Sequence, residues 1–73
     1  MNNEERLKNL GINIYYWRKK RGLTQKELAE KANVSSYVLS SFEKPDKNKS
    51  FSLTSLFKIA DALGVEVTEL LKW

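Results

Sequence analysis

The chain has 73 residues, 41% of them hydrophobic and 30% charged, with a net charge of +4; this is one small domain with a core thin enough that dimerisation would help it. It has no cysteine and no histidine, which excludes disulfides and thiolate sites and removes the commonest general base and metal ligand, so that neither an enzyme nor a metal or other cofactor is expected. No apolar run approaches the roughly 20 residues that cross a bilayer, and the polar, acidic start Met1-Asn2-Asn3-Glu4-Glu5 is unlike a signal peptide, so the chain is expected in the cytoplasm with no membrane partner.

Hydrophobic spacing predicts an all-α, compact five-helix bundle, a single domain over 1–73. The first helix runs from about Glu4 to Arg21, with Leu7, Leu10, Ile14 and Trp17 on one face. Gly11 lies inside it and weakens it; Gly22 ends it, with Lys19, Lys20 and Arg21 placed against the negative end of the helix. The second helix starts at Thr24, where Thr24-Gln25-Lys26-Glu27 fits a capping box, and Leu28, Ala29 and Ala32 form its inward stripe. Asn33, one of the few residues tolerant of a left-handed backbone, interrupts the chain. Ser35 caps a third helix that carries Tyr37, Val38, Leu39 and Phe42 to about Glu43 and stops before Pro45. A polar, lysine-bearing loop spans Pro45 to Phe51. Ser52 caps the fourth helix, whose expected buried side is Leu53, Leu56, Ile59, Ala60 and Leu63, and Gly64 stops it. A short fifth helix is expected from about Val67 to Lys72.

The charge is unevenly placed. Residues 18 to 49 hold nine basic and four acidic side chains, a local excess of +5. Such a concentration is the footprint of a polyanion-binding surface, or simply a solvated face. It coincides with the segment from Gln25 to Lys44, two short helices joined across Asn33-Val34. The break is too tight for a simple hairpin, and small Ala29 stands where the second helix must pass closely. This spacing predicts two helices crossing steeply, the geometry of a helix-turn-helix that reads DNA.

At these residues the sequence resembles a known family, the helix-turn-helix domain of phage lambda-type repressors, Cro and the bacterial regulators related to them. The resemblance spans about Ile14 to Leu71, in IYYWRKKRGLTQKELAEKANVSSYVLSSFEK and then SLTSLFKIADALGVEVTELL. The stretch GLTQKELA, the spacing to Leu39 and Phe42, and the phrase ADALGV carry it together. Two positions depart from the family pattern: Asn33 stands where glycine is usual, and the segment from Glu43 to Lys49 is longer than the usual turn.

The resemblance implies a lambda-repressor-like DNA-binding bundle and a role in transcriptional control, most simply as a repressor on the nucleoid. The third helix, about 35–43, would lie in the major groove, with Ser36, Tyr37 and Ser41 at base edges. Ser35 would touch a thymine methyl or a phosphate, and Ser40 the backbone. Gln25 would hold a phosphate together with the free N–H groups at the start of the second helix. Lys47 and Lys49 would clamp phosphates from the loop. Arg18 and Glu43 would form an ion pair joining the first helix to the end of the third, with Arg18 also within reach of a phosphate. Serine discriminates bases weakly, so specificity would lean on Tyr37, bridging water or DNA deformability.

Of the aromatic residues, Trp17, Phe42, Phe51 and Phe57 sit on apolar faces and are expected in the core, and Tyr15 and Tyr16 at the surface. Trp73 follows Leu70 and Leu71; it either folds back on the core or joins these two in the seam of a homodimer, as related domains do at this end. The alternative to a dimeric regulator of double-stranded DNA is a protein-interaction module that keeps the fold without binding DNA.

Overall fold

A computed structural model of the chain describes residues 2–44 and 52–72. The first four helices each begin on a side-chain cap. Helix α1 (Asn3–Lys20) starts where the Asn2 side chain accepts a hydrogen bond from the Glu5 N–H at 2.8 Å, with Glu4 and Glu5 in the positive first turn and Arg18, Lys19 and Lys20 in the negative last one. Helix α2 (Gln25–Ala32) has the expected capping box. The Thr24 hydroxyl accepts from the Glu27 N–H at 3.0 Å, and the Glu27 carboxylate accepts from the Thr24 N–H at 2.9 Å. Asn33 then turns left-handed, at φ 57° and ψ 45°. Ser35 caps α3 (Ser36–Glu43) by accepting from the Val38 N–H, and Ser52 caps α4 (Leu53–Leu63) by accepting from the Ser55 N–H. Gly64, at φ 72°, ends α4, and α5 (Val67–Leu70) is shorter than its expected range.

The helices pack α1 on α3 and α5, α2 on α3 and α4, and α4 on α5. Ile14, Leu28, Leu39, Phe42, Ile59, Leu63 and Leu70 fill the fully buried centre. Long-range polar ties among the described residues close the bundle. Asn13 Nδ2 donates to the carbonyls of Leu70 and Lys72, at 3.0 and 2.6 Å, and so fastens the end of the chain to α1. Arg21 Nε donates to the Leu63 carbonyl at 2.9 Å, satisfying one of the free acceptors at the end of α4. Arg18 joins α1 to α3, as described below.

Several side chains lie elsewhere than the periodicity predicts. Leu53 and Phe57 are exposed rather than part of the buried side of α4. Leu56, Ile59, Ala60 and Leu63 set the inward direction, and residue 53 lies about 60° of helical rotation from residue 56, enough to carry it and residue 57 over the edge. Leu70, expected in a dimer seam, is wholly buried in the protein's own core, whereas Leu71 is exposed. The Leu70 side chain joins the apolar core where α5 packs on α1 and α4, and the Asn13 tie holds its carbonyl there. Trp17 is only partly buried against the core. The expectations for Pro45 to Phe51, with Lys47 and Lys49, and for Trp73 fall outside the described residues.

Candidate nucleic-acid interface

The turn between α2 and α3 is built by backbone geometry. Asn33 N–H donates to the Glu30 carbonyl at 3.2 Å, and Val34 N–H reaches back to Ala29 at 3.0 Å, so the two helices meet within three residues. Leu28, Ala29, Ala32 and Leu39 are buried between them, with Val34 packed against the same core. The small side chain of Ala29 allows the close crossing. This presents α3 outward. Its eight residues span about 12 Å, and a helix about 10–12 Å across with its side chains fits the width of a major groove.

The outward face of α3 carries Ser36 and Tyr37, with Ser40 half-buried beside them, Ser35 exposed at the N-cap and Lys44 exposed just past the last residue. Tyr37 projects furthest, at 70% exposure. Ser41, expected at a base edge, is turned inward. It is 6% exposed, and its hydroxyl donates to the Tyr37 carbonyl one turn earlier at 2.9 Å. Leu39 and Phe42, buried on either side of it in sequence, fix that rotation. Gln25 is half-buried in the first turn of α2, where unpaired backbone N–H groups point out of the helix end.

The one carboxylate of α3 is withdrawn from this face. Glu43 Oε2 accepts from Arg18 Nε at 2.8 Å and Oε1 accepts from Arg18 Nη2 at 3.1 Å, a bidentate pair with side chains 10% and 5% exposed. Arg18 Nη1 donates in addition to the Leu23 carbonyl at 3.0 Å. One guanidinium therefore ties the end of α3 and the turn leading into α2 to α1. Arg18 is 8% exposed, so its geometry is that of a brace more than of a surface cation. Lys19, Lys20 and Arg21 lie over the rings of Tyr15, Tyr16 and Trp17; with the Arg21 bond to Leu63, this leaves them largely engaged with their own helix end. The resulting face is polar, free of unpaired carboxylate on α3, and flanked by lysine.

Two features of this arrangement were not read from the sequence. A β-carbon on Gly11 would lie 2.5 Å from the Phe42 carbonyl oxygen, so α3 rests directly on the α1 backbone there. A glycine inside a helix that needs no turn is the signal for such a contact. The second is the Tyr15 ring, whose centroid lies 5.1 Å from the Arg18 guanidinium carbon.

Residues 14–70 match the helix-turn-helix family model. The chain belongs to this family, the lambda-repressor-like group of DNA-binding transcription regulators. It is 44% identical over 59 residues to the immunity repressor protein of Bacillus phage phi105, covering 81% of this chain and 40% of that protein. The chain thus spans less than half the length of this relative. It is 36% identical over 63 residues to the HTH-type transcriptional regulator y4dJ of Sinorhizobium fredii, covering 86% of this chain and 79% of that one. Among solved structures it is similar to SinR of Bacillus subtilis, the master regulator for biofilm formation, in complex with DNA. That likeness has a TM-score of 0.76 and 38% identity, over 86% of this chain and 98% of the other. The all-helical architecture and the place of α2 and α3 within it agree with this family.

Proposed function

We propose that the protein is a sequence-specific repressor that lays α3 in the major groove of duplex DNA, and that it is a binding protein and not an enzyme. The observation that carries this reading is the outward presentation of α3, with its only carboxylate buried against Arg18. Ser36 and Tyr37 read base edges. Gln25, Ser35 and Ser40 meet phosphates, and Lys47 and Lys49 join them on the strength of their charge. Arg18 serves chiefly to hold α3, and Ser41 drops out of the reading set because its hydroxyl is turned to the Tyr37 carbonyl.

The protein acts as a homodimer on two half-sites about 34 Å apart. The seam includes the exposed Leu71 near the end of the chain, and Trp73, two residues further on in sequence. Leu70 contributes only by anchoring that end in the core. No described helix is long and apolar enough to cross a membrane, and the place of action is the cytoplasm, on the nucleoid.

Selection of bound sequences from a random duplex pool tests the reading. We expect enrichment of a paired motif, and an affinity that falls log-linearly with salt as condensed counterions are released. Absence of enrichment, with no binding in dilute salt, would overturn it and favour a protein-interaction module.

A further inference from the structure

Arg18 donates in its own plane, to Glu43 from Nε and Nη2 and to Leu23 from Nη1. A guanidinium is weakly hydrated on its faces and accepts an aromatic ring there without giving up its in-plane hydrogen bonds. The Arg18 guanidinium carbon lies over the Tyr15 ring, 5.1 Å from its centroid. Tyr15 stands one turn before Arg18 on α1, toward the side on which α3 packs, and it is itself 49% exposed. The ring therefore lies against the Arg18 guanidinium, with Lys19 Nζ also over it at 5.8 Å from the centroid, and its exposed edge meets water. Arg18, one turn on, is left with only 8% of its surface exposed.

We propose that Tyr15 is a positioning residue for the DNA-reading helix: its ring roofs the Arg18–Glu43 pair and keeps water and salt from loosening it. The inference rests on the DNA-binding function proposed above, but its core is a statement about the free protein. A covered ion pair is weakly screened, whereas an open one contributes little. Without the roof, Arg18 loses its grip on Glu43 at the end of α3 and on Leu23, which precedes the Thr24 cap and Gln25. Both elements of the interface then gain freedom together. Binding to random duplex is governed by charge, which a neutral substitution leaves alone, while reading a particular sequence needs a fixed α3. Tyr15 thus bears on specificity more than on bulk affinity.

The test compares the wild-type protein with Tyr15→Phe, which keeps the ring and removes the hydroxyl, and Tyr15→Leu, which keeps apolar bulk and removes the aromatic face. In the free protein, hydrogen exchange at the Arg18 Nε–H is expected to be unchanged in Tyr15→Phe and about fivefold faster in Tyr15→Leu. On DNA, the ratio of affinities for the selected operator and for random duplex is expected to fall by about three- to tenfold in Tyr15→Leu only. Unchanged Arg18 exchange in Tyr15→Leu would overturn the proposal. So would an equal loss in Tyr15→Phe, which would mean that the hydroxyl, and not the aromatic face, carries the effect. If the wild-type protein shows no operator preference, the functional reading fails, and the exchange measurement still decides the role of the ring.

Discussion

Gly11 of α1 lies directly beneath the Phe42 carbonyl of α3, so that a β-carbon at position 11 would come within 2.5 Å of that oxygen and 3.1 Å of the Glu43 oxygen. Both neighbours are backbone atoms, which cannot swing aside as a side chain would. Alanine favours a helix over glycine by about 1 kcal/mol, but overpacking at a rigid contact costs about 1–3 kcal/mol. Gly11→Ala is therefore expected to lower stability by about 1 kcal/mol net and to tilt α3 away from α1. Urea unfolding measures the first effect, and the ratio of operator to random-duplex affinity the second. A more stable Gly11→Ala variant would show that the helices are not in contact there.

The Arg18–Glu43 pair predicts a strong asymmetry between single and double substitution. With its side chain 5% exposed, Glu43 left alone would be a buried charge without a partner. Arg18→Met is expected to cost about 3–5 kcal/mol, and the combination of Arg18→Met with Glu43→Leu to recover most of that loss. Operator recognition should not recover with it, because the brace from α1 to α3 and to the Leu23 carbonyl is gone. Additive losses in denaturant melts of the single and double variants would contradict a coupled pair.

Acid should act on the start of α2. The Thr24 N–H, and secondarily the Thr24 hydroxyl, hold the Glu27 carboxyl below its ordinary value of 4.5. The native state therefore binds fewer protons at this group than the unfolded chain does. The stabilisation is present in full above the unfolded value and is lost as pH falls through the lower folded one. Glu27→Gln keeps an acceptor but no charge, so its stability deficit relative to wild type should be present near about pH 6 and shrink toward about pH 3. A deficit that widened on acidification would reverse the sign of the argument.

How much of this was legible in the sequence depends on the range of the interaction. The Thr24–Glu27 box, the Asn33 turn, the serine caps and the Gly64 stop are set by neighbours within four residues, and each lies where the sequence places it. The ion pair spans 25 residues; resemblance to a family supplied it, and spacing alone could not. The misplaced side chains of α3 and α4 sit at helix edges. Leu53, Phe57 and Ser41 are each rotated by a fraction of a turn relative to the inward stripe, and only the neighbouring helix decides whether such a position is covered. Nothing local to Leu70 shows that α5 packs back on α1, where Asn13, 57 residues away, holds the Leu70 carbonyl.

That tie is itself open to test. Asn13 Nδ2 is shared between the Leu70 and Lys72 carbonyls, and α5 is four residues long, too short to hold itself as an isolated helix. Asn13→Ala is expected to cost about 1–2 kcal/mol and to speed amide exchange at Glu69 and Leu71 more than in α2 or α4. Because Leu71 belongs to the proposed dimer seam, the variant should also dimerise less at a given concentration in sedimentation. Uniform exchange across the helices would assign the loss to global unfolding and remove the local latch.

Tyr37 and Ser41 separate reading from folding within one helix. Tyr37 is 70% exposed, so Tyr37→Ala should leave the unfolding midpoint nearly unchanged. In the proposed binding mode, however, its ring and hydroxyl are the largest group that α3 offers to the bases. Its removal should cost about 1–3 kcal/mol of operator binding and relax preference at one or two base positions, while random-duplex affinity is retained. Ser41 is buried, and its hydroxyl returns to the Tyr37 carbonyl at 2.9 Å within the same helix. Ser41→Ala removes the hydroxyl and leaves that carbonyl without its side-chain donor, so it should shift stability by under about 1 kcal/mol in either direction. The motif selected from a random pool should be the same with or without it. A changed motif for Ser41→Ala together with an unchanged one for Tyr37→Ala would mean that the helix meets DNA through the opposite edge, rotated by about 40° from the face that its buried residues dictate.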